Sequence, residues 1–179
     1  MENTESLGRV KQLLKDMRGI LERSKDPVIA KLQELVAIEP KSHQMYATIE
    51  LFTEQHYELS YNRYFYKEEG GTKVEDFDAT IYDEFNAAGK SLLPEFRDYA
   101  LKAFEGVDYT EAEAAAYNPE FYKMMTNFMI QCWAAAGGEH AKTPTFFAMD
   151  KEDMCRDLKT GEIMEPHEAA RRCGYELAN

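Results

Sequence analysis

Residues 42–66 read SHQMYATIELFTEQHYELSYNRYFY, and the reading of this stretch decides the architecture of the chain. Ser42 is a suitable N-cap, and Met45, Ile49, Phe52, His56 and Leu59 recur at helical spacing, which predicts a helix from Ser42 to about Tyr66. The stretch is rich in rings: Tyr46, Tyr57, Tyr61, Tyr64, Phe65 and Tyr66. Tyr57, Tyr61 and Phe65 are spaced i, i+4, i+8 and would share one side of such a helix. These are more rings than one helix face buries, so surplus tyrosines are expected at the surface.

Toward the N-terminus, Leu7, Val10, Leu14, Met17 and Leu21 form an apolar stripe, widened by Leu13 and Ile20, which predicts a helix over 5–23. Asp26-Pro27 restarts a second helix, with Val28, Leu32, Leu35 and Val36 as its apolar face and Pro40 beyond its end. The short Ser24-Lys25 connection predicts an antiparallel pair.

Toward the C-terminus, Gly70-Gly71-Thr72 reads as a turn, and a fourth helix is expected over 74–88, with Phe77, Ile81 and Phe85 inward and Gly89 as its stop. Pro94 opens a fifth, ending before Gly106. Thr110-Glu111-Ala112-Glu113 is a capping box that opens a short alanine-rich helix, and Asn118-Pro119-Glu120 reads as the start of a separate, mostly apolar helix that Gly137-Gly138 ends. After Pro144 the pattern changes. Residues 145–149 read as a strand, 154–164 as a β-hairpin turning at Lys159-Thr160-Gly161, and 166–173 as a last helix. The expected fold is mainly α, an all-α body of six to seven helices in one domain over residues 1–179, with 144–179 as a small hairpin-and-helix subdomain packed on it.

The charge is uneven. Of the 179 residues 33 are acids and 21 are bases, a net charge of −12. Residues 42–120 hold 17 acids and 6 bases, a net −11, so this segment carries nearly all of the excess. Its densest part runs Glu68, Glu69, Glu75, Asp76, Asp78, Asp83 and Glu84, interrupted only by Lys73. Such a cluster repels phosphate and attracts basic surfaces. The first helix is basic instead, with Arg9, Lys11, Lys15, Arg18, Arg23 and Lys25.

No apolar run reaches the ~18 residues of a membrane span, and Met1–Leu14 lacks the pattern of a secretory signal. Cys132, Cys155 and Cys173 are odd in number and far apart, which fits reduced thiols and a cytoplasmic location. Cys132 falls on an apolar helix face and is expected in the core, whereas Cys155 and Cys173 could pair only where the fold brings them together. Arg156 stands beside Cys155 and would lower its pKa.

The four histidines, His43, His56, His140 and His167, form no HExxH, ExxH or HxH pattern, and there is no GxSxG, Walker A or GxGxxG. No catalytic residue, metal or cofactor is therefore assigned. Residues 166–175 look like the first helix and turn of a helix-turn-helix, but they lack a following recognition helix, and a net charge of −12 opposes binding to a polyanion. Direct nucleic-acid binding is not expected.

The expectation that remains is an acidic protein-interaction module. Tyr57, Tyr61 and Tyr64 would cover the apolar floor of a basic, nucleic-acid-binding groove on a partner. Glu68, Glu69, Glu75, Asp76, Asp78, Asp83 and Glu84 would stand where phosphates stand. Small acidic inhibitors of nucleases and of bacterial defence complexes (anti-restriction and anti-CRISPR proteins), encoded by phages and mobile elements, work on this physical principle. The alternatives are a small enzyme with a scattered His, carboxylate and Cys site near His56 or His140, and a homodimer joined through the first helix.

Overall fold

In the computed structural model, which describes residues 4–54, 57–82, 85, 91–150 and 152–175, residues 42–66 form the central hairpin of a β-sheet and not a helix. Strand β1 spans Gln44–Phe52 and β2 spans Glu58–Glu69, antiparallel from Tyr46 opposite Tyr64 to Phe52 opposite Glu58, with a bulge between Gln44 and Tyr46. The cause is an alternation of period two. Ala47, Ile49, Leu51, Leu59 and Tyr61 are buried on one face, while Thr48, Glu50, Ser60, Asn62 and Tyr64 occupy the other. β-Branched and aromatic side chains favour that pleated surface. A spacing of four is an even number, so Tyr57, Tyr61 and Phe65 share a side in a strand as they would in a helix.

The expected helix over 74–88 is absent from the described part of that range, and its stop at Gly89 lies outside the described residues. Strand β3, Thr72–Glu75, folds back on β2 with Glu69 opposite Thr72. Gly70 and Gly71 close this two-residue turn with φ of 59° and 83°, the left-handed conformation that such hairpins require. Asp76 then holds a tight turn, its carboxylate accepting from the backbone N–H groups of Asp78 and Ala79. Because this segment is a turn, Phe77 points outward.

Helices α1 (Thr4–Arg23), α2 (Lys25–Val36) and α3 (Pro94–Phe104) form where they were expected, α2 stopping four residues before Pro40. Helix α4 differs: Glu111–Ala135 is one helix of 25 residues where two were expected. Its capping box forms as read, Thr110 accepting from the Glu113 N–H and Glu113 accepting from the Thr110 N–H. Pro119 lies inside the helix and removes one helical hydrogen bond, a cost of roughly 3 kcal/mol. Burial of Phe121, Met124, Met125, Phe128, Met129, Cys132 and Trp133 beyond it offsets this, at ~1.5–3 kcal/mol for each large apolar side chain. Gly137, at φ 82°, stops the helix.

The C-terminal elements follow the expectation. They are β4 (Thr145–Met149), the antiparallel pair β5 (Cys155–Asp157) and β6 (Ile163–Met164), and α5 (Pro166–Arg172). They are not a separate hairpin, however. β4 lies parallel to β1, Ala47 opposite Thr145 through Leu51 opposite Met149, and the strands run β3-β2-β1-β4-β5-β6 in one sheet. Among the described residues there are five helices and a curled mixed sheet of six strands. The mainly-α reading, and with it the term all-α, is thereby corrected to a mixed α/β half-barrel.

Helices α1, α2 and α4 pack over one face of the sheet around the main core, where Met17, Leu32, Ile49, Phe96, Met125 and Met129 are fully buried. The apolar stripe of α1 is used inside the chain, against α3 and α4. Phe146, Cys155, Met164 and Ala169 form a second, smaller cluster on the other face, closed by Tyr175, whose hydroxyl donates to the Phe65 carbonyl at 2.6 Å. Among the described residues no helix is long and apolar enough to cross a membrane.

Two glycine substitutions separate tight packing from helix propensity. A Cβ on Gly138 would fall on the indole of Trp133, while one on Gly8 in α1 meets nothing within 4 Å. Gly138→Ala is expected to destabilise the fold by about 1–3 kcal/mol, and Gly8→Ala to stabilise it by about 0.5–1 kcal/mol. Urea denaturation of the two variants against the wild type measures both.

Candidate functional site

The ten residues expected to bind a partner are divided by the sheet. Tyr61 is 1% exposed and lies in the main core, its ring edge-on to Phe85. Tyr57 is also buried, between Phe96 and Phe121, with a left-handed φ of 55° that costs a bulky residue strain. Burial pushes its hydroxyl up to about 12. These two rings are not presented to a partner. Asp83 and Glu84 lie outside the described residues, as does His56.

The remaining six gather on and around β3. Glu68 and Glu69 are exposed at the tip of the β2–β3 hairpin. Glu69 pairs with Lys67 at 3.2 Å, and Glu68 faces Lys73 across the ladder. Lys73 in turn lies 4.6 Å over the ring of Tyr66. Asp78 is exposed, and Asp76 is half-buried as the turn acceptor. Glu75 is half-buried on the same face as Tyr64, and desolvation raises its carboxyl above the usual range.

Sequence reasoning missed the rest of this surface. Phe77, expected inward, is 71% exposed, and Tyr82 is 58% exposed with its ring edge-on to Tyr64. Behind them is a polar floor on β1 and β2. The Ser60 hydroxyl donates to Asn62 Oδ1 at 2.9 Å, Asn62 Nδ2 donates to Thr48 Oγ1 at 3.3 Å, and the Thr48 hydroxyl donates to Glu50 Oε1 at 3.2 Å. The Tyr64 hydroxyl reaches the same oxygen at 3.4 Å. Every donor in this chain is directed toward Glu50. Those hydrogen bonds favour the carboxylate, yet burial outweighs them and raises the Glu50 pKa. Tyr46 stacks on Tyr64 at 4.6 Å, and burial drives both hydroxyls up, Tyr64 to about 12. The available signal was the run of small polar residues and Glu50 at even positions of β1 and β2, opposite large apolar residues at odd ones.

Among the described residues the features of a scattered enzyme site do not converge. Among the described residues no group of three or more His, Cys, Asp and Glu is placed to hold a metal ion. His140 is exposed and lies 3.3 Å from its neighbour Glu139. Cys155 and Cys173 do meet in the second cluster, but as free thiols. Burial pushes both up to about 11, with Asp157 adding to it, so the lowering expected from Arg156 does not occur. Cys132 is in the core as expected, its thiol likewise raised by burial to about 11.

Glu50 gives the polar floor a defined pH signature. A carboxyl raised by folding contributes stability that is fully present below its ordinary value of 4.5 and is lost as pH climbs through the raised value. Glu50→Gln keeps the accepting oxygen and removes the charge. It is expected to raise the melting temperature at pH 7, with the gain vanishing below pH ~4.5; thermal denaturation at both pH values measures it.

Comparison with protein-family models, curated proteins and solved structures finds no match to this chain, so its function has to follow from its own geometry.

Proposed function

We propose that the protein is an acidic docking module whose β3 edge and following turn engage a basic, nucleic-acid-binding surface on another protein. The observation that carries this reading is the exposure of Phe77 and Tyr82, at 71% and 58%, inside the acid-rich segment that also holds Glu75, Asp76 and Asp78. Between Tyr66 and Tyr82 five of the seven charged side chains are acids, and one of the two lysines is paired with Glu69. Large rings set among carboxylates suit a groove built for nucleic acid. The rings cover apolar floor and the carboxylates meet the lysines and arginines that would hold phosphates. β3 also ends the sheet, so its outer edge offers main-chain donors and acceptors to a partner. The aromatic part of the surface is thus Phe77, Tyr82 and Tyr64, in place of the three-tyrosine set of Tyr57, Tyr61 and Tyr64.

The reading is tested by titrating the protein against a panel of purified nucleic-acid-binding proteins, with duplex DNA as competitor. At least one partner is expected to bind and to be displaced by DNA, with affinity falling about tenfold or more between 50 and 300 mM salt. Phe77→Ser combined with Glu68→Gln and Asp78→Asn, all exposed positions, is expected to weaken binding at least tenfold while leaving the melting temperature within 2 °C of wild type. Binding indifferent to salt, DNA and these substitutions would reject the reading.

A further inference from the structure

A cleft of about 780 Å³ opens between α3, the first half of α4 and the end of β1, away from the β3 edge. That volume suits a small organic molecule. Its walls are a belt of six rings: Tyr57, Phe104, Tyr109, Tyr117, Phe121 and Tyr122. The rings contact one another in sequence, Tyr109 to Phe104 at 5.2 Å, Phe104 to Tyr117 at 5.6 Å, Tyr117 to Phe121 at 5.2 Å and Phe121 to Tyr122 at 6.2 Å.

The charged side chains that line the cleft have one sign. Among the described residues that line the cleft, two are carboxylates, Glu105 and Glu113, and none is Lys or Arg. Arg9 is paired with Glu113, its Nε and Nη2 donating at 2.9 and 2.7 Å. Its guanidinium also lies 4.5 Å over the ring of Tyr109, so this belt already holds one cation against an aromatic face. Among the described lining residues an anionic ligand would meet carboxylates and ring faces and no Lys or Arg.

We infer that this cleft is a binding site for an organic cation with an apolar body, an aryl- or alkylammonium ion. The ring faces and the Glu105 carboxylate receive the ammonium, and Leu101, Phe104 and Ala100 receive the apolar part.

The test compares 2-phenylethylammonium with 2-phenylethanol, a neutral molecule of nearly the same shape, by calorimetric titration of the full chain at low salt. The cation is expected to bind saturably with one site and at least fivefold more tightly than the alcohol. Tyr122→Leu is expected to weaken the cation at least fivefold, Tyr122→Phe to leave it within twofold, and both to unfold at wild-type urea concentrations. Phe77→Ser, on the docking edge, is expected to leave cation binding unchanged, which keeps this site's failure distinct from failure of the docking surface. Equal affinity for the alcohol, no saturable binding of the cation, or indifference to Tyr122→Leu would each overturn the assignment.

Discussion

The pairing of β1 with both β2 and β4 is the constraint from which the rest of the structure follows. β1 is central, antiparallel to β2 on one side and parallel to β4 on the other. From Tyr46 onward its side chains alternate, so one register places Ala47, Ile49 and Leu51 under the helices and Tyr46, Thr48 and Glu50 on the opposite face. A slip of one residue would exchange the two sets, burying Glu50 in the apolar core and exposing Ile49. The helical layer, the polar floor and the acidic edge all depend on that register.

Two faces of one sheet therefore do different work. The helix-covered face is closed by apolar packing and supplies the stability. Among the described residues the other is covered in part by the small cluster around Phe146 and by Tyr175, and it carries a band from Glu50 through Tyr64 to the exposed Tyr82. Buried polar groups are tolerated there because each has a partner. Among the described residues no buried side-chain nitrogen or oxygen lacks one. The aromatic cleft lies on the helical side, so the docking band and the cleft are separate surfaces of the same body.

Much of this was legible in the sequence wherever a local signal had one structural meaning. The capping box at Thr110 and Glu113, the Pro94 start, the Gly161 turn and the strand read at 145–149 each specify a single local geometry, and each formed. The region from 42 to 82 failed because its main signal was degenerate. Ile49, Phe52 and Leu59 fit a helical period loosely, while Met45, Ala47, Ile49 and Leu51 fit a period of two without exception. The acidic surface was half legible. Its carboxylates could be read from charge density, but its rings could not, since exposure of Phe77 follows from the Asp76 turn and burial of Tyr61 from the sheet. The joining of Asn118-Pro119 into α4 was hidden for a related reason: a strong local start signal was overridden by the apolar burial that follows it.

The parallel contact between β1 and β4 has a consequence for synthesis. Residues 47 and 145 pair directly, so nearly a hundred residues leave the ribosome between the two strands. During that interval the β1–β2 hairpin has one open edge of its own in addition to the edge that β3 caps. Non-local pairing of this kind is slow to form, and open edges invite other chains. The nascent protein is thus most vulnerable to aggregation after β2 is made and before β4 arrives, and it is in that window that a chaperone would have the most to protect.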